Sequence, residues 1–327
     1  MSKIIFISGR FRSGTSLLWN IFNQLPQYCA YYEPLHPNLL SHIKHVKPKS
    51  DHLGIDDYWG SYTELTELKK FYSTEFGQHR LYLEKHDQWK SLKEYINYLI
   101  SSAGEKTPVL QFNRTDLRLS WLKNNFPQAT IIHIKRQAYP LWKSSRKHLN
   151  TDDHREDESH PDAYDLLQWS ADLAVDFPML QAQPDRSSYF RHYFIWKLSN
   201  QLANEHADLH LSLEKDFFES NLGIKALANK FRWDKTQIDL IKNIIQKPES
   251  ETESLLKSDD TNSIEKAIDN TFKQLGLTKL FPSSPLAEIK LECHNHWKKY
   301  PVNPHAVTQE LLNALRYQKD ELTALVN

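Results

Sequence analysis

Residues 3–20, KIIFISGRFRSGTSLLWN, set a short apolar run before a glycine-bracketed loop, and that loop before a helical apolar pattern. Lys3–Ser8 reads as a buried strand and Gly9–Ser13 as a loop. Gly14–Leu25 reads as a helix with Leu17, Leu18, Ile21, Phe22 and Leu25 on one face. Pro26 stops that helix, and Tyr28–Tyr32 reads as a second strand ending at Glu33-Pro34. Strand, loop, helix and strand in this order begin a parallel α/β sheet. The rhythm resumes with strands at Pro108–Phe112 and Thr130–Lys135 and helices at Leu117–Asn125 and Pro140–Leu149. Helices over 162–176 and 188–205 and a strand at Leu209–Leu213 follow. The predicted fold is a P-loop-like three-layer α/β domain spanning 1–327, a short parallel sheet flanked by helices, with a mainly helical region at 219–327. Residues 37–106, rich in Tyr, Trp, His and Lys with a helix near Leu92–Ile100, read as an insertion. Lys247–Asn262 reads as a polar linker, Thr151–Pro161 as an exposed acidic loop, and 305–325 as an amphipathic helix.

Composition narrows the function classes. Forty-one basic residues balance forty-one acidic ones, so bulk electrostatics does not suit nucleic-acid coating. The longest apolar runs are too short for a membrane span. A strand beginning beside Met1 leaves no room for a signal peptide, and Cys29 and Cys293 are too few for a disulfide framework, so a cytoplasmic location is expected. Only eight glycines occur in 327 residues, about a third of the usual share of roughly 7%. Two of them, Gly9 and Gly14, bracket one loop.

That loop, Gly9-Arg10-Phe11-Arg12-Ser13-Gly14-Thr15-Ser16, has the setting of an anion cradle. A glycine turn lets backbone approach the ligand, and the helix N-terminus aims N–H groups and a positive dipole at it. The spacing is that of a Walker A loop, except that Thr15 stands where the Lys belongs. With Arg12 in the loop instead, a 5′-terminal anion suits it better than a triphosphate.

Arg12, Ser13, Gly14, Thr15 and Ser16 resemble the 5′-phosphosulfate loop of the sulfotransferase family, with Phe11 in place of its common proline. A second match lies downstream, where the family has an Arg at a strand end and a Ser eight residues later. Here these are Arg136 and Ser144, with Ser145 adjoining. An Arg forks a phosphate bidentately and a helix hydroxyl adds a donor. A degraded match, Leu213-Glu214-Lys215-Asp216, stands at a third family stretch. The resemblance is closest in motif style to the carbohydrate and tyrosylprotein branches. It implies the donor 3′-phosphoadenylyl sulfate (PAPS), bound by Arg10, Phe11, Arg12, Ser13, Gly14, Thr15, Ser16, Arg136 and Ser144. It implies sulfuryl transfer to a hydroxyl or amine of an unidentified acceptor, a carbohydrate or small molecule, with residues 37–106 on the acceptor side. Metal, nucleic-acid and membrane partners are not implied.

Arg12 is then the residue that stabilises charge on the bridging oxygen. Glu33, twenty-one residues after Arg12 as in the tyrosylprotein branch, is the candidate base, and His36 the runner-up. The His base of the aryl and steroid branch is absent, since Gln111-Phe112-Asn113-Arg114 stands there. Asn113 and Arg114 are candidates to orient acceptor or sulfuryl group, or else strand-end residues meeting solvent. Sixteen histidines show no zinc spacing: His206 and His210 straddle a helix end and a strand start, and Cys293, His294 and His296 lack a fourth ligand. The aromatic run Tyr189–Trp196 reads as helix core. The alternatives are a P-loop small-molecule kinase, disfavoured by Thr15, and a non-catalytic nucleotide-binding protein.

Overall fold

The computed structural model of the chain describes residues 4–45, 55, 57–146, 164, 166–180, 188–242, 244–245 and 259–274. Five strands form one sheet: β1 (Ile4–Ser8), β2 (Tyr28–Tyr32), β3 (Thr107–Phe112), β4 (Ala129–Lys135) and β5 (Leu209–Ser212). Their order is β2-β3-β1-β4-β5, and every pair is parallel. The central strand β1 is buried along its whole length, as a strand with both faces covered must be.

The described residues form two compact units. The first draws on Met1–His79, Leu83–Gln137 and Leu202–Ser254 and holds the whole sheet. Its helices are α1 (Thr15–Asn23), α2 (Leu39–His45), the single turn α3 (Leu68–Phe71), α4 (Lys90–Ser102) and α5 (Leu119–Asn125). The second unit draws on Arg80–Tyr82, Ala138–Gln201 and Leu255–Asn327. It holds α6 (Ala138–Arg146), α7 (Leu166–Leu173) and most of α8 (Ser188–His206). Then α9 (Leu222–Phe231) and α10 (Lys235–Lys242) return to the first unit and α11 (Asp259–Gln274) to the second.

Strand alternation divides the first unit's core in two. Ile4 and Phe6 face a layer with α4 and α5, packing with Tyr95, Ile96 and Leu122. Ile5 and Ile7 face the opposite layer, with Leu18 and Phe22 of α1 and Leu227 of α9. The helix of 37–106 is therefore also the crossover between β2 and β3, and Tyr95, Ile96 and Leu99 in it are fully buried. In the second unit, Tyr193 donates to Asp269 at 3.0 Å, Tyr189 to Glu265, and Lys197 pairs with Asp269, which tie α8 to α11. The run Tyr189–Ile195 is buried, in line with its reading as core.

Several boundaries differ from expectation: β5 ends at Ser212, not Leu213, and the helix expected from Leu117 begins at Leu119. The first helix ends at Asn23, not Leu25, because Gln24 and Leu25 close a final tight turn. The polar stretch reaching Asn262 turns helical at Asp259. The acidic stretch Thr151–Pro161, Cys293, His294, His296 and the helix expected over 305–325 lie outside the described residues.

Candidate active site

The carboxyl ends of parallel strands are where an open α/β sheet builds a crevice. Register sets Ser8 of β1 beside Phe112 of β3 and His133 of β4, so the segments following these strands share one edge of the sheet. Tyr32 of β2 pairs with Gln111 of β3, bringing Glu33 to that edge too.

The loop after β1 needs its glycines for two different reasons. Gly14 has φ 103°, a left-handed conformation that side chains rarely adopt. Gly9 is there for packing, since a Cβ on it would sit 2.5 Å from the Ile134 carbonyl oxygen. Gly14 is the N-cap of α1, and no side chain caps that helix or places an acid in its first turn. The Ser13 hydroxyl is buried and finds no hydrogen-bond partner among the described residues. An uncapped helix start beside an orphaned hydroxyl fits a bound anion. Half-buried Arg12 has φ 66°, also left-handed, in the turn closed by Ser13 N–H donating to Arg10 O at 3.1 Å. Ser16 Oγ lies 2.9 Å from Tyr32 Oη.

Arg10 turns inward. It is 7% exposed and pairs at 3.3 Å with Asp116, which is fully buried after β3. Phe11 is buried under the Arg114 guanidinium, 4.9 Å above its ring. Asp116 has no local sequence pattern that marks it, and it lies 106 residues from its partner.

Thr15 and Glu33 meet through residues that end β3. Thr15 Oγ1 donates to Asn113 Oδ1 at 2.6 Å, and Asn113 Nδ2 donates to Glu33 Oε1 at 2.6 Å. Gln111 Nε2 donates to Asn113 Oδ1 at 3.0 Å and its Oε1 accepts from Glu33 N–H at 3.1 Å. Asn113 and Arg114 are therefore buried, not strand-end residues in solvent. Glu33 has φ 38°, and three tyrosines hold the turn it begins. Tyr62 donates to Tyr32 O at 2.8 Å, Tyr95 to Pro34 O at 2.8 Å, and Tyr72 to His36 O at 2.6 Å. Burial pushes the Tyr62 and Tyr95 phenols well above their ordinary range, so they stay donors. The aromatic richness of 37–106 signalled these residues without giving their role.

His36 follows on the same turn, its Nδ1 accepting from Asn38 N–H at 3.1 Å. Burial, then the charges of Arg114 and His42, hold its imidazole well below the usual histidine value, so it is neutral at pH 7. Arg136 follows β4 and is buried, its Nε in an ion pair 3.6 Å from Glu214 Oε1, and that oxygen accepts from Gln137 N–H at 3.1 Å. Ser144 is buried on α6 in the other compact unit. His206 ends α8 and His210 sits within β5. No group of three or more His, Cys, Asp or Glu that could hold a metal occurs among the described residues, and no helix there is long and apolar enough to cross a membrane.

Comparison with known proteins gives three results. No curated protein matches the sequence. The crystal structure of sulfotransferase STF9 from Mycobacterium avium is similar over 92% of this chain and 78% of its own, at 12% identity and a TM-score of 0.36. A sulfotransferase family model matches residues 5–191, more than half of the 327 residues and a span that begins in β1 and takes in Arg12, Glu33 and Arg136, so the chain belongs to the sulfotransferase family.

Proposed function

We propose that this sulfotransferase takes the sulfuryl group of PAPS and passes it to a hydroxyl or amine of an acceptor, releasing adenosine 3′,5′-bisphosphate. The observation that carries the reading is the start of α1: no capping side chain, no acid in the first turn, and the buried, partnerless Ser13 hydroxyl beside Arg12. The backbone N–H groups at Gly14, Thr15 and Ser16 would hold the 5′-phosphosulfate. Arg136, oriented on its Nε side by Glu214, would fork the 3′-phosphate.

In the reaction, Glu33 takes the acceptor proton as the acceptor oxygen or nitrogen bonds to sulfur. The bond from sulfur to the bridging oxygen breaks, and that oxygen leaves with the electron pair on the 5′-phosphate. Arg12 stabilises the charge that develops there, as cationic groups do in phosphoryl transfer. His36, neutral and half-buried, is the second candidate base.

Thermal unfolding with adenosine 3′,5′-bisphosphate and with Mg²⁺-ATP tests the donor. At a hundred times its dissociation constant the bisphosphate stabilises by about 2.7 kcal/mol. Stabilisation by ATP alone refutes the reading. Arg136→Ala weakens the bisphosphate far more than adenosine 5′-phosphate; equal losses remove its assigned role. Glu33→Gln lowers kcat by about 10²–10⁴, the usual worth of a general base, and full turnover would pass the role to His36.

A further inference from the structure

We infer that Asn113 is a positioning residue that holds the Glu33 carboxylate and the Thr15 hydroxyl in one fixed arrangement, joining the base to the loop that grips the donor. The inference rests on the donor reading for its catalytic consequence, and on geometry for the contact itself. Asn113 directly follows β3, between the loop after β1 and the turn after β2, and it is 5% exposed.

The direction of every bond in this cluster follows from one group that can only donate. The backbone N–H of Glu33 donates to Gln111, so that face of the Gln111 amide is its oxygen. The Gln111 nitrogen must then be the donor to Asn113, and the Asn113 atom it meets must be oxygen. The Asn113 nitrogen is left to face Glu33 Oε1, where it donates. The result is a closed ring from the Glu33 backbone to its own carboxylate through two amides. Reversing Gln111 would set like groups against each other at both its contacts, and reversing Asn113 would do so against Gln111 and Glu33.

Two consequences follow for chemistry. Oε1 is engaged by Asn113, which sets the direction in which Oε2 is presented. The single Thr15 proton is committed to Asn113 Oδ1 at 2.6 Å, so Thr15 offers an anion its backbone N–H and not its hydroxyl. This gives a role to the Thr that replaces the Walker lysine. Tyr32 and Tyr62, whose phenols feel the Glu33 charge, are pushed far up by burial and stay neutral.

Asn113→Asp is the discriminating variant. It keeps the shape and the oxygen that Thr15 and Gln111 bind, and it replaces the donor facing Glu33 with an acceptor. Two readouts are needed. The first follows the Glu33 side-chain carboxyl by ¹³C NMR against pH, its signal assigned by its loss in Glu33→Gln. The second is hydrolysis of PAPS, in which water stands in for the acceptor. In Asn113→Asp the Glu33 midpoint rises by about one unit or more, since paired carboxylates resist double ionisation. Hydrolysis falls at least tenfold through kcat, with KM for PAPS within about threefold. Thr15→Val, which removes the hydroxyl and keeps the shape, shifts the same carboxyl signal.

An unmoved Glu33 midpoint in Asn113→Asp overturns the inference, as does a kcat within twofold of the parent. Asn113→Ala checks the simpler structural role: lost thermal stability with unchanged kcat would also overturn it. If the unaltered protein neither binds adenosine 3′,5′-bisphosphate nor hydrolyses PAPS, the donor reading fails. The carboxyl titration still decides whether Asn113 governs Glu33.

Discussion

Removing Asp116 should cost the protein more than removing almost any other single carboxylate. It is fully buried, and its partner Arg10 is 7% exposed, with 3.3 Å between charged atoms. At that distance and an effective dielectric of ~20, the Coulomb attraction is about 5 kcal/mol. Asp116→Ala strips this away and leaves the guanidinium buried, a change that in other proteins costs about 3–5 kcal/mol. Arg10 has further contacts, including the Phe11 face 6.0 Å away, so the lower end applies, about 3 kcal/mol. Equilibrium urea unfolding followed by tryptophan fluorescence measures it; with a slope of ~3 kcal/mol per molar, the midpoint drops by about 1 M. The double variant Arg10→Met, Asp116→Leu recovers at least half of the loss, because no charge is left buried. A loss under about 1 kcal/mol in the single variant, or a double variant no better than the single, would refute the view that Arg10 serves chiefly to hold Asp116.

Gly14→Ala should destabilise by about 2–4 kcal/mol, adding a left-handed penalty of ~1–2 to overpacking of ~1–2, since its Cβ would meet Leu213 Cδ1 at 2.8 Å. A thermal midpoint unchanged from the parent would remove the backbone argument for this loop. Gly9→Ala meets a backbone carbonyl at 2.5 Å, which cannot swing aside, so it should perturb β4 amide exchange around Ile134. Unchanged exchange there would contradict the packing role. The depressed His36 means that the folded state binds fewer protons than the unfolded chain in acid. Its contribution is therefore fully present above the unfolded value of about 6.5 and is lost as pH falls below it. His36→Gln should flatten the decline in unfolding free energy between pH 7 and 5, and an identical slope would sink the assignment.

What the sequence made legible was local. β2 falls on Tyr28–Tyr32 as expected, because an aromatic run between a helix-stopping proline and Glu33-Pro34 has no competing reading. The loop after β1 was legible for the same reason: its glycines and helix start are contiguous. The reason for Gly9 was not, because the carbonyl it makes room for belongs to Ile134. Arg10 could be paired with Asp116 only by knowing that β1 and β3 are neighbours, a fact of strand order and not of spacing. Asn113 was balanced between solvent and site, and burial by the turn after β2 decided it. The tyrosines of 37–106 were visible as composition but not as a clamp, since each donates to a carbonyl at least thirty residues away.

The two residues assigned the chemistry share a backbone property. Arg12 at φ 66° and Glu33 at φ 38° are both non-glycine residues in the left-handed region, and each such conformation costs on the order of 1–3 kcal/mol. The surroundings enforce it in both places. The loop is closed from Arg10 to Ser13 and packed at Gly14 against Leu213, while the Glu33 turn is held by Gln111 at its N–H and by Tyr62 and Tyr95 on either side. A side chain forced into this region projects where a relaxed backbone would not place it, so the strain and the placement are one fact. Glycine at each position should then be more stable than alanine by about 1 kcal/mol, the reverse of their order in a helix. Urea unfolding of Arg12→Gly against Arg12→Ala, and of Glu33→Gly against Glu33→Ala, measures the difference while both members of each pair lack the functional group. Alanine equal to or more stable than glycine at either position would show that the backbone there is not strained, and that the side chain is directed by its contacts alone.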